Sequence, residues 1–170
     1  MTIRNVSKVA LRNLRRSVNP PKLSDQRFEI PQLKGGNWSR NAINIRYVDA
    51  GGGQDCANEL VAAFGPDYDL EQYGIRIVAS PRHADLLFVT GCVTTKMADP
   101  LRRTYESIPN PKVVVACGDA AITGGPFVRA KHCLGPVSGT IPVDLSIPGD
   151  PPSAASLIEF FSKISGRTSR

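Results

Sequence analysis

From Ile43 onward the chain alternates short apolar runs with stretches of helical periodicity, the pattern of a parallel sheet whose strands are joined by crossover helices. Residues 43–48, 75–79, 86–90, 113–117 and 143–147 are predicted strands, and residues 56–64, 96–108 and 153–162 are predicted helices. Pro100 suits the first turns of the second helix, and Ser153 is a candidate N-cap for the third. The expected fold class is α/β: an open, flavodoxin-like, mostly parallel sheet with flanking helices. Ligands in such sheets sit beyond the carboxyl ends of the strands. Chemistry is therefore sought in residues 49–55, 91–95, 118–127 and 148–152.

At 170 residues the chain suits one domain with a substantial core rather than two. The expected division is a basic N-terminal arm over residues 1–42, the α/β domain over 43–165 and a tail over 166–170. The net charge of +6 is concentrated in the arm, because residues 1–48 hold ten Lys and Arg against only Asp25 and Glu29. Ile3, Val6, Ala10 and Leu14 recur at roughly helical spacing among those cations, which suits contact with lipid headgroups or a partner. A frayed leader is the plainer reading. Pro20-Pro21 ends any helix there. No zinc-finger, RNP or helix-turn-helix pattern supports nucleic acid as a partner.

No apolar run approaches the roughly 20 residues needed to cross a bilayer, so membrane association would come through a partner or a surface helix. Four widely spaced cysteines with no C-x-x-C pair argue against a secreted disulfide scaffold. The N-terminal segment lacks an apolar secretory core, so a cytoplasmic address is expected. The acid-free run containing Arg4, Lys8, Arg12, Arg15 and Arg16 can also be read as an organellar presequence. Gly51-Gly52-Gly53 after a strand is a weak phosphate-binding signal, since neither G-x-G-x-x-G nor a P-loop Lys follows. His83 and His132 each lack a second ligand at metal-binding spacing. No catalytic residue is expected.

The segment Ser80-Pro81-Arg82-His83-Ala84-Asp85, continuing through Leu86-Leu87-Phe88-Val89-Thr90-Gly91 to Cys92-Val93-Thr94-Thr95-Lys96-Met97, resembles the core signature of the B-type subunits of complex I (NADH:quinone oxidoreductase) and the small subunits of membrane-bound [NiFe] hydrogenases. The resemblance extends through Gly118-Asp119-Ala120-Ala121, Gly124-Gly125-Pro126-Phe127, Ile141-Pro142-Val143-Asp144 and Pro148-Gly149-Asp150-Pro151-Pro152, and upstream to Tyr47-Val48-Asp49-Ala50-Gly51. It covers about residues 43–162. The fold it implies is the one read from periodicity, and it implies a [4Fe–4S] cluster held by four cysteines in the loops after the strands.

In the hydrogenase-type loop, G-x-C-x-x-C, the resemblance sets Cys56 on the second cysteine and Gly53 on the first. Glu59 falls on a glutamate implied to lie near the large catalytic subunit and to relay protons, the plainer reading being a solvated acid in the first turn of its helix, in favourable contact with the dipole. In the complex I register, with adjacent cysteines, the partner of Cys56 is Asp55. The G-x-C-A ligand position holds Ala120 and the P-G-C-P-P position holds Asp150, so Cys56 is the one cysteine left of four. A cluster needs an anionic donor on each iron. Asp150 has a carboxylate to offer, whereas Gly53 and Ala120 have nothing, so no cofactor is expected.

Cys92 and Cys117 follow or end predicted strands, so with Cys56 they are expected to point toward one crevice edge as alternative ligands. The competing reading is that they are small buried hydrophobes. Cys133 lies in the irregular stretch after Gly125. Arg82 and Asp85 flank the turn into a predicted buried strand, where they pair with each other, cap backbone groups or, for Arg82, meet a partner.

Three functions follow as expectations. The first is a cluster-deficient small-subunit homologue, a structural or docking component beside a large subunit and membrane subunits, peripheral on the inner face of the cell membrane. The second is an electron-transfer subunit with an unusual iron–sulfur cluster on Cys56, Cys92, Cys117 and Asp150, exchanging electrons with quinone or a [NiFe] site. The third is an independent flavodoxin-like binding module.

Overall fold

Two strands, β3 (Leu86–Thr90) and β5 (Val113–Cys117), are buried along their whole length in the computed structural model, which describes residues 42–166. Strands apolar at every position are stable only where both faces of a sheet are covered, which places them at its centre. The five-stranded sheet runs β2 (Ile75–Ile77), β1 (Ile43–Asp49), β3, β5, β7 (Leu145–Ile147), and every pairing in it is parallel. This is the doubly wound order, with its switch point between β1 and β3. The expected fold class is the observed one. The expected amphipathic pattern of residues 3–16 and the rest of the arm up to residue 41 lie outside the described residues, as do residues 167–170 of the tail.

Alternation along each strand divides the core in two. Ile43 and Ile45 of β1, Leu86 and Phe88 of β3, and Val113, Val115 and Cys117 of β5 pack against α1 (Asp55–Ala63) and the C-terminal helix. Leu87 and Val89, with Val114 and Ala116, pack on the opposite face with residues of α2 (Ala98–Ser107) and α3 (Asp119–Thr123). The C-terminal helix, α4 (Ala154–Ser165), buries Ala154, Leu157, Phe160, Phe161 and Ile164, a spacing that makes one continuous apolar stripe. The ring of Phe161 lies 5.8 Å from that of Phe88 and 5.3 Å from that of Phe160. Ser153 is its N-cap, with the Oγ accepting from the Ser156 amide at 3.3 Å.

Several boundaries differ from the sequence-based ones. The edge strand β2 stops at Ile77, and β7 begins at Leu145 because Asp144 turns its carboxylate onto the Val114 amide at 2.8 Å. Helix α2 starts at Ala98, because the Thr95 amide is held by the His132 carbonyl at 2.9 Å and the Met97 amide by the Thr94 carbonyl at 3.0 Å, beyond a short strand, β4 (Val93–Thr94), antiparallel to β6 (Cys133–Gly135). That second sheet and α3 lie in stretches read from sequence as loop. Asp85 does not pair with Arg82: its Oδ2 accepts from the Asn44 amide at 2.9 Å, fastening β1 to the entry of β3.

Register aligns the strand ends. Asp49 is opposite Thr90, Thr90 opposite Cys117, and Cys117 opposite Ile147. One row of residues thus sends all four central loops out from the same edge.

Candidate functional site

The loops leaving β1 and β3 meet backbone to backbone. A Cβ at Gly52 would lie 2.6 Å from the Cα of Gly91, and one at Gly91 would overlap the amide nitrogen of Gly52. Glycine at both positions permits this approach. The crevice at the switch point is therefore filled by chain. The Gly51 and Gly52 amides both donate to Oδ1 of Asp49 at 2.9 Å, so the glycine turn satisfies its own carboxylate and leaves those amides no phosphate to bind.

The loops after β5 and β7 are stitched together beside it. The amide of Asp119 donates to the Gly149 carbonyl at 2.9 Å, and the Gly149 amide donates to Oδ1 of Asp119 at 2.9 Å. Gly118, at φ +90°, has a conformation that disfavours a side chain. A Cβ there would stand 2.8 Å from the Cys56 sulfur and 3.5 Å from the Gly149 carbonyl oxygen. Cys56, in the first turn of α1, thus lies directly against the end of β5.

Two thiol pairs result, rather than one set of three. Cys117 belongs to the α1 face of the sheet by its strand parity and adjoins Cys56, whose sulfur lies against Gly118. The neighbouring Cys117 thiol holds the half-buried Cys56 below the usual thiol value, against the opposing effects of burial and of Asp150, Asp55 and Asp49. The same contact, together with burial, pushes Cys117 well above it. Cys92 lies beyond the end of β3 and does not join them. It is 2% exposed, donates to the Gly51 carbonyl at 3.6 Å and has Cys133 as its sulfur neighbour. Burial first, then the Cys133 contact, pushes it up to about 11. Cys133, set apart by the sequence, is brought to Cys92 by the β4–β6 pairing.

The other positions are placed as follows. Asp150 is exposed and close enough to act electrostatically on Cys56. Gly53 faces Asp55, whose Oδ2 would lie 2.8 Å from a Cβ at 53, and Ala120 is packed under Gly125. Glu59 turns inward, its Oε2 accepting from the Ala154 amide at 2.7 Å. Arg82 and His83 are exposed on a 3-10 turn. His132 lines a pocket of about 410 Å³ with residues 51–53, Phe127, Lys131, Cys92 and Cys133. Among the described residues, no group of three or more His, Cys, Asp or Glu is arranged to hold a metal ion.

Sequence reasoning did not single out Tyr47 and Thr90 as site residues. The Tyr47 hydroxyl and Thr90 Oγ1 lie 3.0 Å apart. Burial raises the Tyr47 hydroxyl above its ordinary value, with Asp49, Cys56 and Cys117 adding in the same direction and the Thr90 contact opposing. The available signal was parity, because Tyr47 continues the face of Ile43 and Ile45 toward the strand end.

Comparison with known proteins identifies the family. The family model described as NADH ubiquinone oxidoreductase, 20 Kd subunit, matches residues 54–164. The B-type subunit of the NADH-quinone oxidoreductase of Carboxydothermus hydrogenoformans is 42% identical over 123 residues, covering 72% of this chain and 73% of that protein. The probable membrane-bound hydrogenase subunit mbhJ of Pyrococcus furiosus is 38% identical over 114 residues, 67% and 68% of the respective chains. Among solved structures, a chain of the membrane-bound sulfane sulfur reductase, an archaeal respiratory membrane complex, matches with a TM-score of 0.65 and 32% identity over 76% of this chain and 75% of its own. No helix among the described residues is long and apolar enough to cross a membrane. By sequence and fold together, this chain belongs to the NADH ubiquinone oxidoreductase 20 Kd subunit family, and its relatives include subunits of membrane-bound complexes.

Proposed function

We propose that this chain is a cluster-deficient small subunit, serving as a structural or docking component of a membrane-associated assembly related to complex I or to a hydrogenase. The observation that carries the reading is the donor set at the sheet edge. The loops that the family resemblance assigns to cluster ligands converge there, yet Gly53 and Ala120 have no donor atom and the sulfur of Cys56 is engaged by Cys117. Those residues do not fit a [4Fe–4S] group, which takes a donor on each iron.

The neighbouring readings draw less support. A rebuilt cluster on Cys56, Cys92, Cys117 and Asp150 requires Cys92 to leave Cys133 and the Gly51 carbonyl. For a free-standing module, the gap between the 51–52 and 91 backbones is closed, which leaves it the pocket beside His132. Docking is the role left to the exposed surfaces. Arg82, on the turn that enters β3 at the opposite end of the sheet from the ligand loops, offers an exposed cation to a large-subunit-like partner, and Glu59 stands half-buried beside the start of α4. The basic arm would supply a contact to membrane subunits or anionic lipid at the inner face of the membrane.

The test is anaerobic isolation of the full chain from its native membranes, followed by iron and acid-labile sulfide analysis, EPR and identification of bound proteins. The expected result is iron well below one atom per chain, no reducible signal and a retained large-subunit-like partner. About four irons per chain with a reducible signal would overturn the cluster-free reading, and a partnerless monomer would overturn docking.

A further inference from the structure

The dithiol formed by Cys56 and Cys117 has an asymmetry that a purely structural pair of cysteines does not need. Both are free thiols. Cys56 is half-buried in the first turn of α1, reachable from solvent, whereas Cys117 is 0% exposed behind it at the last position of β5. The Cys56 sulfur lies against Gly118, the residue next to Cys117 in the chain, so the two thiols adjoin. Gly118 makes the contact possible, because a Cβ at that residue would stand 2.8 Å from the Cys56 sulfur and push it away from its partner. An accessible sulfur in front of a buried one is the arrangement of an attacking thiol and a resolving thiol.

We propose that Cys56 and Cys117 form a two-electron thiol–disulfide exchange site whose substrate is a small-molecule disulfide. The inference rests on the cluster-free reading, since iron on Cys56 would occupy the attacking sulfur. In the first step the Cys56 thiolate attacks one sulfur of R–S–S–R. A bond forms between Cys56 and that sulfur, the S–S bond breaks, and R–S⁻ leaves with the proton that Cys56 gave up. In the second, the Cys117 sulfur attacks Cys56 in the mixed disulfide, the second R–S⁻ leaves, and it takes the Cys117 proton. Two protein thiols are oxidised to one disulfide while one R–S–S–R is reduced to two R–SH.

The Cys92–Cys133 pair shares the order of exposure, a half-buried Cys133 before a buried Cys92, but both of its sulfurs are engaged by backbone: the Cys92 thiol donates to the Gly51 carbonyl and the Cys133 sulfur accepts from the Gly135 amide at 3.3 Å. It serves as the internal comparison.

The full-length chain is incubated with glutathione disulfide, quenched with an alkylating agent and mapped by peptide mass spectrometry, with iron measured on the same sample. The expected product is a Cys56–Cys117 linkage that dithiothreitol reverses. In C117A, glutathione is expected to remain on Cys56 at least ten times longer than in the unaltered chain, because no resolving thiol displaces it. A map that leaves Cys56 and Cys117 reduced, or joins Cys56 to a different cysteine, overturns the proposal. Since that map uses the unaltered chain, the outcome does not depend on C117A folding. Low iron with no linkage refutes exchange while leaving the cluster-free reading standing; high iron refutes that reading first.

Discussion

Cys92 and Cys117 are held as neutral thiols by the interior around them, and this links stability to alkaline pH. Cys92 is raised from 9.0 to about 11. A folded value above the unfolded one means that its contribution is complete below pH 9 and is lost as pH rises toward 11. Cys117 shifts in the same direction. The Cys92 contribution is about 2–3 kcal/mol. The urea midpoint is therefore expected to fall between pH 9 and 11, and C92A, compared with its own value at pH 8, should lose distinctly less over that interval. Equal losses in the two proteins would show that the buried thiol is not the titrating group. The Cys56–Cys117 contact was half legible beforehand: parity with Val113 and Val115 puts Cys117 on one face of β5, but that α1 covers this face is a tertiary fact.

Helices α1 and α4 are joined through Glu59, whose carboxylate meets the Ala154 amide at 2.7 Å at the start of α4. An acid beside a helix N-terminus accepts a hydrogen bond from an otherwise unpaired amide and meets the favourable end of the dipole. E59A is expected to cost about 1–3 kcal/mol, read as a lower urea midpoint, with E59Q retaining more stability because its amide oxygen can still accept. If Glu59 also meets a partner, E59Q will weaken co-purification even where folding is intact. The principal strands and helices were legible because each carries its own period or apolar run. The β4–β6 pair was not, because Val93 meets Gly135 across a long separation in sequence and two- or three-residue strands have no pattern to read.

For the molecule as a whole, the cluster-free reading implies that the loss is local, with the loops still converging on the old place. Restoring thiols by G53C, A120C and D150C together, followed by anaerobic reconstitution with iron and sulfide, is expected to give about four irons per chain. The unaltered chain treated alike should retain far less. Gly53 can accept the new side chain if the Asp55 carboxylate, 2.8 Å from the Cβ position, swings aside. A triple variant that folds without taking up iron would mean that the loops themselves have moved apart.

By itself the sequence determined the α/β class and, by resemblance, the family, and it assigned a candidate site to the strand-end loops, because each reading depends on local periodicity or on motifs read in order. Only the tertiary structure decided that Cys56 meets Cys117 while Cys92 meets Cys133, that Glu59 turns inward, and that the switch-point crevice is filled by Gly51, Gly52 and Gly91. Those outcomes depend on strand register and on close approach between segments distant in sequence, and neither quantity is encoded in any single stretch of chain.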